Sequence, residues 1–123
     1  MTVATAITEM TDKGGSIADL DAAGTAVPVD LAVEWYNSGM DMVVVLNNSV
    51  GAITATLVSQ PDQAGRGGAA DPNNDVVISV PAGEVGILGP AARPWFNAGS
   101  LAKVTFSVAA SVEYVILRVK PVS

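Results

Sequence analysis

The residues best suited to chemistry in this chain are acids and glycines, because it contains neither histidine nor cysteine. Those two absences remove the commonest general base, the commonest metal ligand and every thiolate or disulfide. Serine hydroxyls remain, but there is no imidazole to activate one. Gly65-Arg66-Gly67-Gly68 looks like a phosphate cradle. A working cradle follows a strand, ends in Lys-Ser/Thr and opens a helix; this one runs into Ala-Ala-Asp-Pro-Asn-Asn and reads as a loop. Asp71-Pro-Asn73-Asn74-Asp75 offers hard oxygen donors, yet lacks the spacing and distal glutamate of a calcium loop. The same residues are ordinary turn formers. Paired carboxylates cleave glycosides at set separations, but twelve acids bring some pair together by chance. No catalytic, cofactor-binding or metal-ligating residue is therefore assigned, no cofactor is expected, and an enzyme is the least favoured class.

Aromatic residues are the other functional candidates. Trp35-Tyr36 and Trp95-Phe96 hold four of the six. They read either as plugs at the ends of a core or as anchors of a protein interface, where aromatics and methionine are enriched. Pro94 and the turn-rich sequence around it favour the second pair as a contact, and Met40 beside the first pair can serve either role. The candidate interface set is Trp35, Tyr36, Met40, Pro94, Trp95 and Phe96. Asn47-Asn48-Ser49 matches a glycosylation sequon and reads more simply as a turn.

These residues must be positioned by strands. The 123-residue length fits one domain with a real core. Half the residues are hydrophobic and 15% are charged, with 12 Gly and 7 Pro, a mixture that favours short strands and tight turns. Residues 2–7 read as a strand or extended arm. Residues 8–25 are polar, with a capped helical turn at Ser16–Asp19 ended by Gly24. Residues 26–36 alternate as a strand whose start Pro28 confines to an edge. Met42–Leu46 and Ile53–Val58, joined across Asn47–Gly51, predict a hairpin, with Ile53, Ala55 and Leu57 on one face and Thr54 and Thr56 on the other.

After a long loop over 59–75, Val76–Val80 turns at Pro81-Ala82-Gly83 and returns as Val85–Leu88. Residues 104–108 alternate, and Val112–Val119 closes the chain. Tyr114, Val115, Ile116 and Leu117 are apolar on both faces, as in a central strand or one lying against another subunit. The expectation is an all-β, single-domain antiparallel β-sandwich, jelly-roll-like or immunoglobulin-like, of about seven or eight short strands. Residues 1–25 form an N-terminal arm and 26–123 the sandwich.

Net charge is −6, and eight of the twelve acids lie at or before Asp62. This reads first as a solvated acidic surface, and second as a face that meets a basic partner or a neighbouring subunit. No basic patch is present, so direct nucleic-acid binding is not expected. No uninterrupted apolar run is long enough for a membrane span, and the opening MTVATAITEMTDKGG is not a secretion signal.

Several stretches in order resemble a family of small capsid decoration, or cement, proteins of tailed bacteriophages. They are Leu20-Asp-Ala-Ala-Gly24, Asn37-Ser-Gly39 before a Val-rich strand, Asn47-Asn48-Ser49 before a Thr-rich strand, and Val-Pro-Ala-Gly at 80–83. Gly89-Pro90, Phe96-Asn97 and a final strand ending at Arg118-Val119 complete the order. Met40 departs from the pattern, where a basic residue is expected, and the 63–75 loop is longer and richer in glycine. The resemblance implies a non-enzymatic structural protein made in the host cytoplasm. It would bind the major capsid protein on the outside of the virion head, as a homo-oligomer with a trimer favoured. A tail or head–tail joining component, and a carbohydrate-binding module stacking sugar on Trp35 or Trp95, are the alternatives.

Overall fold

The computed structural model describes residues 2–4, 7–10, 23–59, 75–91 and 101–119. The expected turn at Ser16–Asp19 and most of the 59–75 loop lie outside them. The described residues form ten strands: β1 (Thr2–Ala4), β2 (Ile7–Met10), β3 (Thr25–Ala26), β4 (Ala32–Tyr36), β5 (Met42–Asn47), β6 (Ile53–Leu57), β7 (Val76–Val80), β8 (Val85–Leu88), β9 (Leu101–Phe106) and β10 (Val112–Val119). The first sheet runs β1-β4-β9-β6-β7. The second runs β2-β10-β5-β8, with β3 also on β10. The β-sandwich expected from the sequence is the fold observed.

Pairing follows a nested scheme. β4 pairs β9 and β6 pairs β7 in the first sheet, while β5 pairs β8 in the second, all antiparallel. This is a long hairpin rolled across two sheets, the jelly-roll manner of closing a sandwich. It corrects the expected hairpin of Met42–Leu46 with Ile53–Val58: β5 and β6 belong to opposite sheets. The connection 48–52 is an arch spanning the roughly 10 Å between sheets. The turn at Pro81-Ala82-Gly83 is an arch as well, joining β7 to β8. Glu84 N–H closes it onto Pro81 C=O at 3.1 Å, and Gly83 has φ 74°, the left-handed region that glycine enters freely.

Burial explains the difference. The alternation of β6 matches its sequence pattern, with Ile53, Ala55 and Leu57 buried. Val43, Val44, Val45 and Leu46 of β5 are all buried, so β5 has two apolar faces to cover. Placed centrally between β10 and β8, it presents Val43 and Val45 to the main core and Val44 and Leu46 to a second cluster. β10 does the same: Val112, Tyr114 and Ile116 face the main core, and Val115 and Leu117 join the second cluster against Ala23 and Met42.

The outer face of the first sheet is more polar. Glu34 stands opposite Lys103 in register, and Thr105 opposite Thr56. Phe106 and Tyr114 meet across the core with ring centroids 6.1 Å apart, a contact distance favourable for aromatic pairs.

The segment expected as one strand over 26–36 is split. Val27 N–H bonds to Val112 C=O at 3.0 Å and Leu31 N–H to Pro28 C=O at 2.9 Å, and Leu31 has φ 64°. The turn so formed delivers the chain from β3 in the second sheet to β4 in the first. At the N-terminus β1 pairs in parallel with β4, and β2 in parallel with β10. β1 and β2 thus supply an edge strand to each sheet, on the same side of the sandwich.

On the opposite side β7 and β8 approach each other across the core. A Cβ on Gly86 would lie 2.7 Å from Val80 Cγ2 and 2.9 Å from Ile78 Cδ1, so the sheets close here because residue 86 has no side chain. Gly86→Val is expected to lower stability by about 1–3 kcal/mol through overpacking. Gly51→Ala, with nothing within 4 Å of the added Cβ, is expected to change it little. Denaturant unfolding midpoints of the two variants check this.

Candidate functional site

The link from β4 to β5 carries the chain between sheets at the end of the sandwich opposite the 48–52 and 81–84 arches. β4 alternates, so Val33 and Trp35 point inward and Tyr36 points out. The turn Asn37-Ser38-Gly39 follows, and Asp41 precedes the apolar β5. The Asp41 side chain is fully buried.

A buried carboxylate is tolerated only when its lone pairs are satisfied and its charge is countered. Both conditions are met. Oδ2 accepts from Trp35 Nε1 at 3.1 Å, from Ser38 N–H at 3.0 Å and from Arg118 Nη2 at 2.9 Å. Oδ1 accepts from Ser38 Oγ at 2.6 Å and Arg118 Nε at 3.0 Å. The guanidinium therefore grips the carboxylate with two nitrogens, and its Nη2 also donates to Tyr36 C=O at 2.8 Å.

Arg118 sits on β10 in the second sheet and Trp35 on β4 in the first, so one carboxylate ties the two layers. The backbone adds to it: Ala91 N–H donates to Asp41 C=O at 2.8 Å, and Asn37 Nδ2 donates to Ala91 C=O at 2.7 Å. Burial pushes the Asp41 pKa up, but the hydrogen bonds from Arg118 and Ser38 and the guanidinium charge outweigh it and hold the group below its ordinary value. Hydrogen bonding to Asp41 in turn raises that of Arg118 against the opposing effect of burial.

The latched turn presents two of the expected interface residues. Tyr36 is 61% exposed and Met40 66% exposed. Trp35 is fully buried, with its indole N–H on Asp41, and serves as a core plug with no ring surface to offer. Pro94, Trp95 and Phe96 lie outside the described residues, as do Gly65–Gly68 and residues 71–74. Asp75 is described, and its Oδ1 accepts Ser59 N–H at 2.7 Å across the base of the 59–75 loop. Among the described residues no group of three or more acids is placed to hold a metal ion.

At the other end Asn47 ties two arches together. Its Nδ2 donates to Gly51, Val80 and Pro81 C=O at 2.9, 2.9 and 3.1 Å, and its Oδ1 accepts from Ser49 N–H and Oγ at 3.0 and 2.6 Å. Buried and fully engaged, this amide is unavailable to carry a glycan in the folded chain. Beside it an open groove runs between Asn48–Ile53 and Val108–Ser111, largely apolar, with Val50 fully exposed on its rim.

Comparison with protein-family models, with curated proteins and with solved structures returned no match.

The lowered pKa of Asp41 makes the latch pH-dependent. A carboxyl depressed in the folded state contributes stability above its unfolded value, about 3.9 for aspartate, and loses that contribution as pH falls through the folded value. At pH 7 Asp41→Asn is expected to unfold about 3 kcal/mol more easily, because Arg118 is left partly buried without its counter-charge. The gap between the two proteins is expected to narrow steadily below about pH 4. Denaturant titrations from neutral to acid pH check this; a gap that stays constant to the lowest pH would show that the carboxylate charge is not what stabilises the turn.

Proposed function

We propose that the protein is a structural component of a tailed-phage virion that binds the outer surface of the assembled capsid and stabilises it. The observation that carries this reading is the exposed Tyr36–Met40 pair on a turn fixed from beneath by the buried Asp41 carboxylate and its partner Arg118. An aromatic and a thioether side chain are the kind of anchors that protein interfaces favour. Anchors on a turn already ordered before docking lose little conformational freedom on binding. A shell-binding protein of this kind needs no catalytic group. It acts by mass action, since a ligand that binds only the assembled shell lowers the free energy of that state.

The partner on this reading is the major capsid protein. The resemblance of the sequence to phage decoration proteins supports the same assignment, and with it a homo-oligomer, a trimer favoured, on the capsid surface.

Co-sedimentation with expanded, undecorated heads of the phage that carries the gene tests it, with unexpanded proheads and tails as controls. Saturable binding to expanded heads and a raised temperature of head disruption are expected. Tyr36→Ala and Met40→Lys, which leave Asp41 and Arg118 in place, are expected to weaken that binding about tenfold or more, as loss of an interface anchor does. Absence of binding to heads, or binding only to tails or to host glycans, would overturn the reading.

A further inference from the structure

In an antiparallel pair, opposed residues alternate between exchanging backbone hydrogen bonds and turning those groups away from each other. The two sides of β5 fix the phase of this alternation for β8. Asn47 N–H bonds to Glu84 C=O at 3.0 Å on the β8 side, and Asn48 N–H to Ser111 C=O at 2.9 Å on the β10 side. Along the register, Val45 opposite Gly86 and Val43 opposite Leu88 are then the bonded positions with β8, while Val44 and Leu46 bond to Val115 and Glu113 of β10. Val85 and Ile87 therefore point N–H and C=O away from β5. β8 ends its sheet, and no described residue bonds to these groups.

Open edges are usually protected by charged side chains, proline or a bulge. β8, Val-Gly-Ile-Leu, contains neither a charged residue nor a proline. On its outer face Val85 is 40% and Ile87 57% exposed, in register with Leu46 and Val44 of the second apolar cluster. On its inner face Gly86 has no side chain, and Ile78 of β7 fills the space beside it. A strand laid along this edge meets apolar groups on both of its faces. The edge of β7 differs, because its outward side chains Val77 and Ser79 stand beside Thr56 and Thr54 in register.

We propose that the β8 edge accepts an extended segment of a different protein as an added strand. The outward N–H and C=O groups of Val85 and Ile87 specify extended backbone, since a helix keeps its own backbone groups paired. The apolar neighbours on both faces specify a run of apolar, β-branched side chains. Charge specifies what flanks that run. Glu84 is exposed immediately before β8 and the chain carries a net charge of −6, so lysine or arginine at the ends of the segment is complementary and acid is not. This assignment goes beyond shell binding through Tyr36 and Met40. It concerns a side of the sandwich rather than its Asp41 end, and its test uses no heads, so either reading can fail alone.

The probe is a blocked synthetic peptide, Lys-Val-Thr-Val-Thr-Val-Lys, titrated into the isotope-labelled full chain and followed by amide NMR and hydrogen exchange. Saturable shifts and slowed exchange at the Val85 and Ile87 amides are expected. The same peptide N-methylated at its central residues, which cannot donate, is expected to give neither, and a peptide with glutamate at both ends to bind more weakly. Ile87→Pro removes an outward N–H that no ladder bond uses, a place where an edge strand tolerates proline. It is expected to weaken binding about tenfold or more, while Ser79→Pro on the β7 edge leaves it unchanged; thermal melts confirm that each variant folds. No saturable shift at Val85 and Ile87, equal binding of the methylated or the glutamate-ended peptide, or full binding by folded Ile87→Pro overturns the proposal. So does equal loss on Ser79→Pro. Exchange at Val85 and Ile87 that is already slow without peptide, and slower still at higher protein concentration, would assign the edge to another copy of the chain and overturn it too.

Discussion

A carboxylate with no exposure to water must be answered by the protein on every side, and Asp41 sets that demand at the point where the chain passes from one sheet to the other. Its partners come from β4, from the β4–β5 turn and from β10, so satisfying the group fixes the relative positions of all three. Replacing such a pair with apolar residues is often harmless in general, but removing one member is not. The consequence here is local rigidity: the turn carrying Tyr36 and Met40 has its backbone tied through Ser38 N–H, Tyr36 C=O and Asp41 C=O.

A neutral group plays the matching part at the far end. Asn47 bonds across the 48–52 and 80–83 connections, while Asn48 N–H reaches Ser111 C=O at 2.9 Å and Ser107 N–H reaches Thr54 C=O at 3.0 Å. A jelly-roll-like order has few local hairpins, so its turns do not stabilise themselves by strand pairing. They are held by hydrogen bonds from one arch to the next. Between the two tied ends lies a core of small branched side chains, with Trp35 as its largest member. The result is a scaffold suited to presenting a fixed surface at the Asp41 turn.

Much of this was legible in the sequence, and the failures have physical causes. Alternation in 53–57 and the doubly apolar run 114–117 gave the right strands and the right faces, because side-chain period reports burial directly. Period does not report which sheet a strand joins. Two adjacent strands with a short connection look the same whether they form a hairpin or an arch, and the hairpin expectation for Met42–Leu46 with Ile53–Val58 fails for that reason. The clue was the four consecutive buried residues of β5, which a strand with one wet face cannot carry. The Asp41–Arg118 pair stands out less, because the charge pattern groups Asp41 with a solvated acidic surface. Arg118 follows Tyr114 and Ile116 at two-residue spacing and so shares their inward row. An arginine there needs an acid, and Asp41 immediately before the apolar strand was a candidate. Tyr36 was readable as exposed because it follows the inward Trp35; the burial of Trp35 resolved the choice between plug and anchor that the sequence left open.

The most direct measurement of the central claim is a double-mutant cycle on Asp41→Asn and Arg118→Gln, with unfolding free energies at neutral pH for the native protein, both single variants and the double variant. If the buried pair is what ties the sheets at this turn, the two substitutions are expected to be strongly non-additive, with a coupling of about 2 kcal/mol, within the range of contacting charged partners. A coupling below about 0.5 kcal/mol, the limit for independent sites, would contradict the claim and leave Asp41 as one buried residue among many.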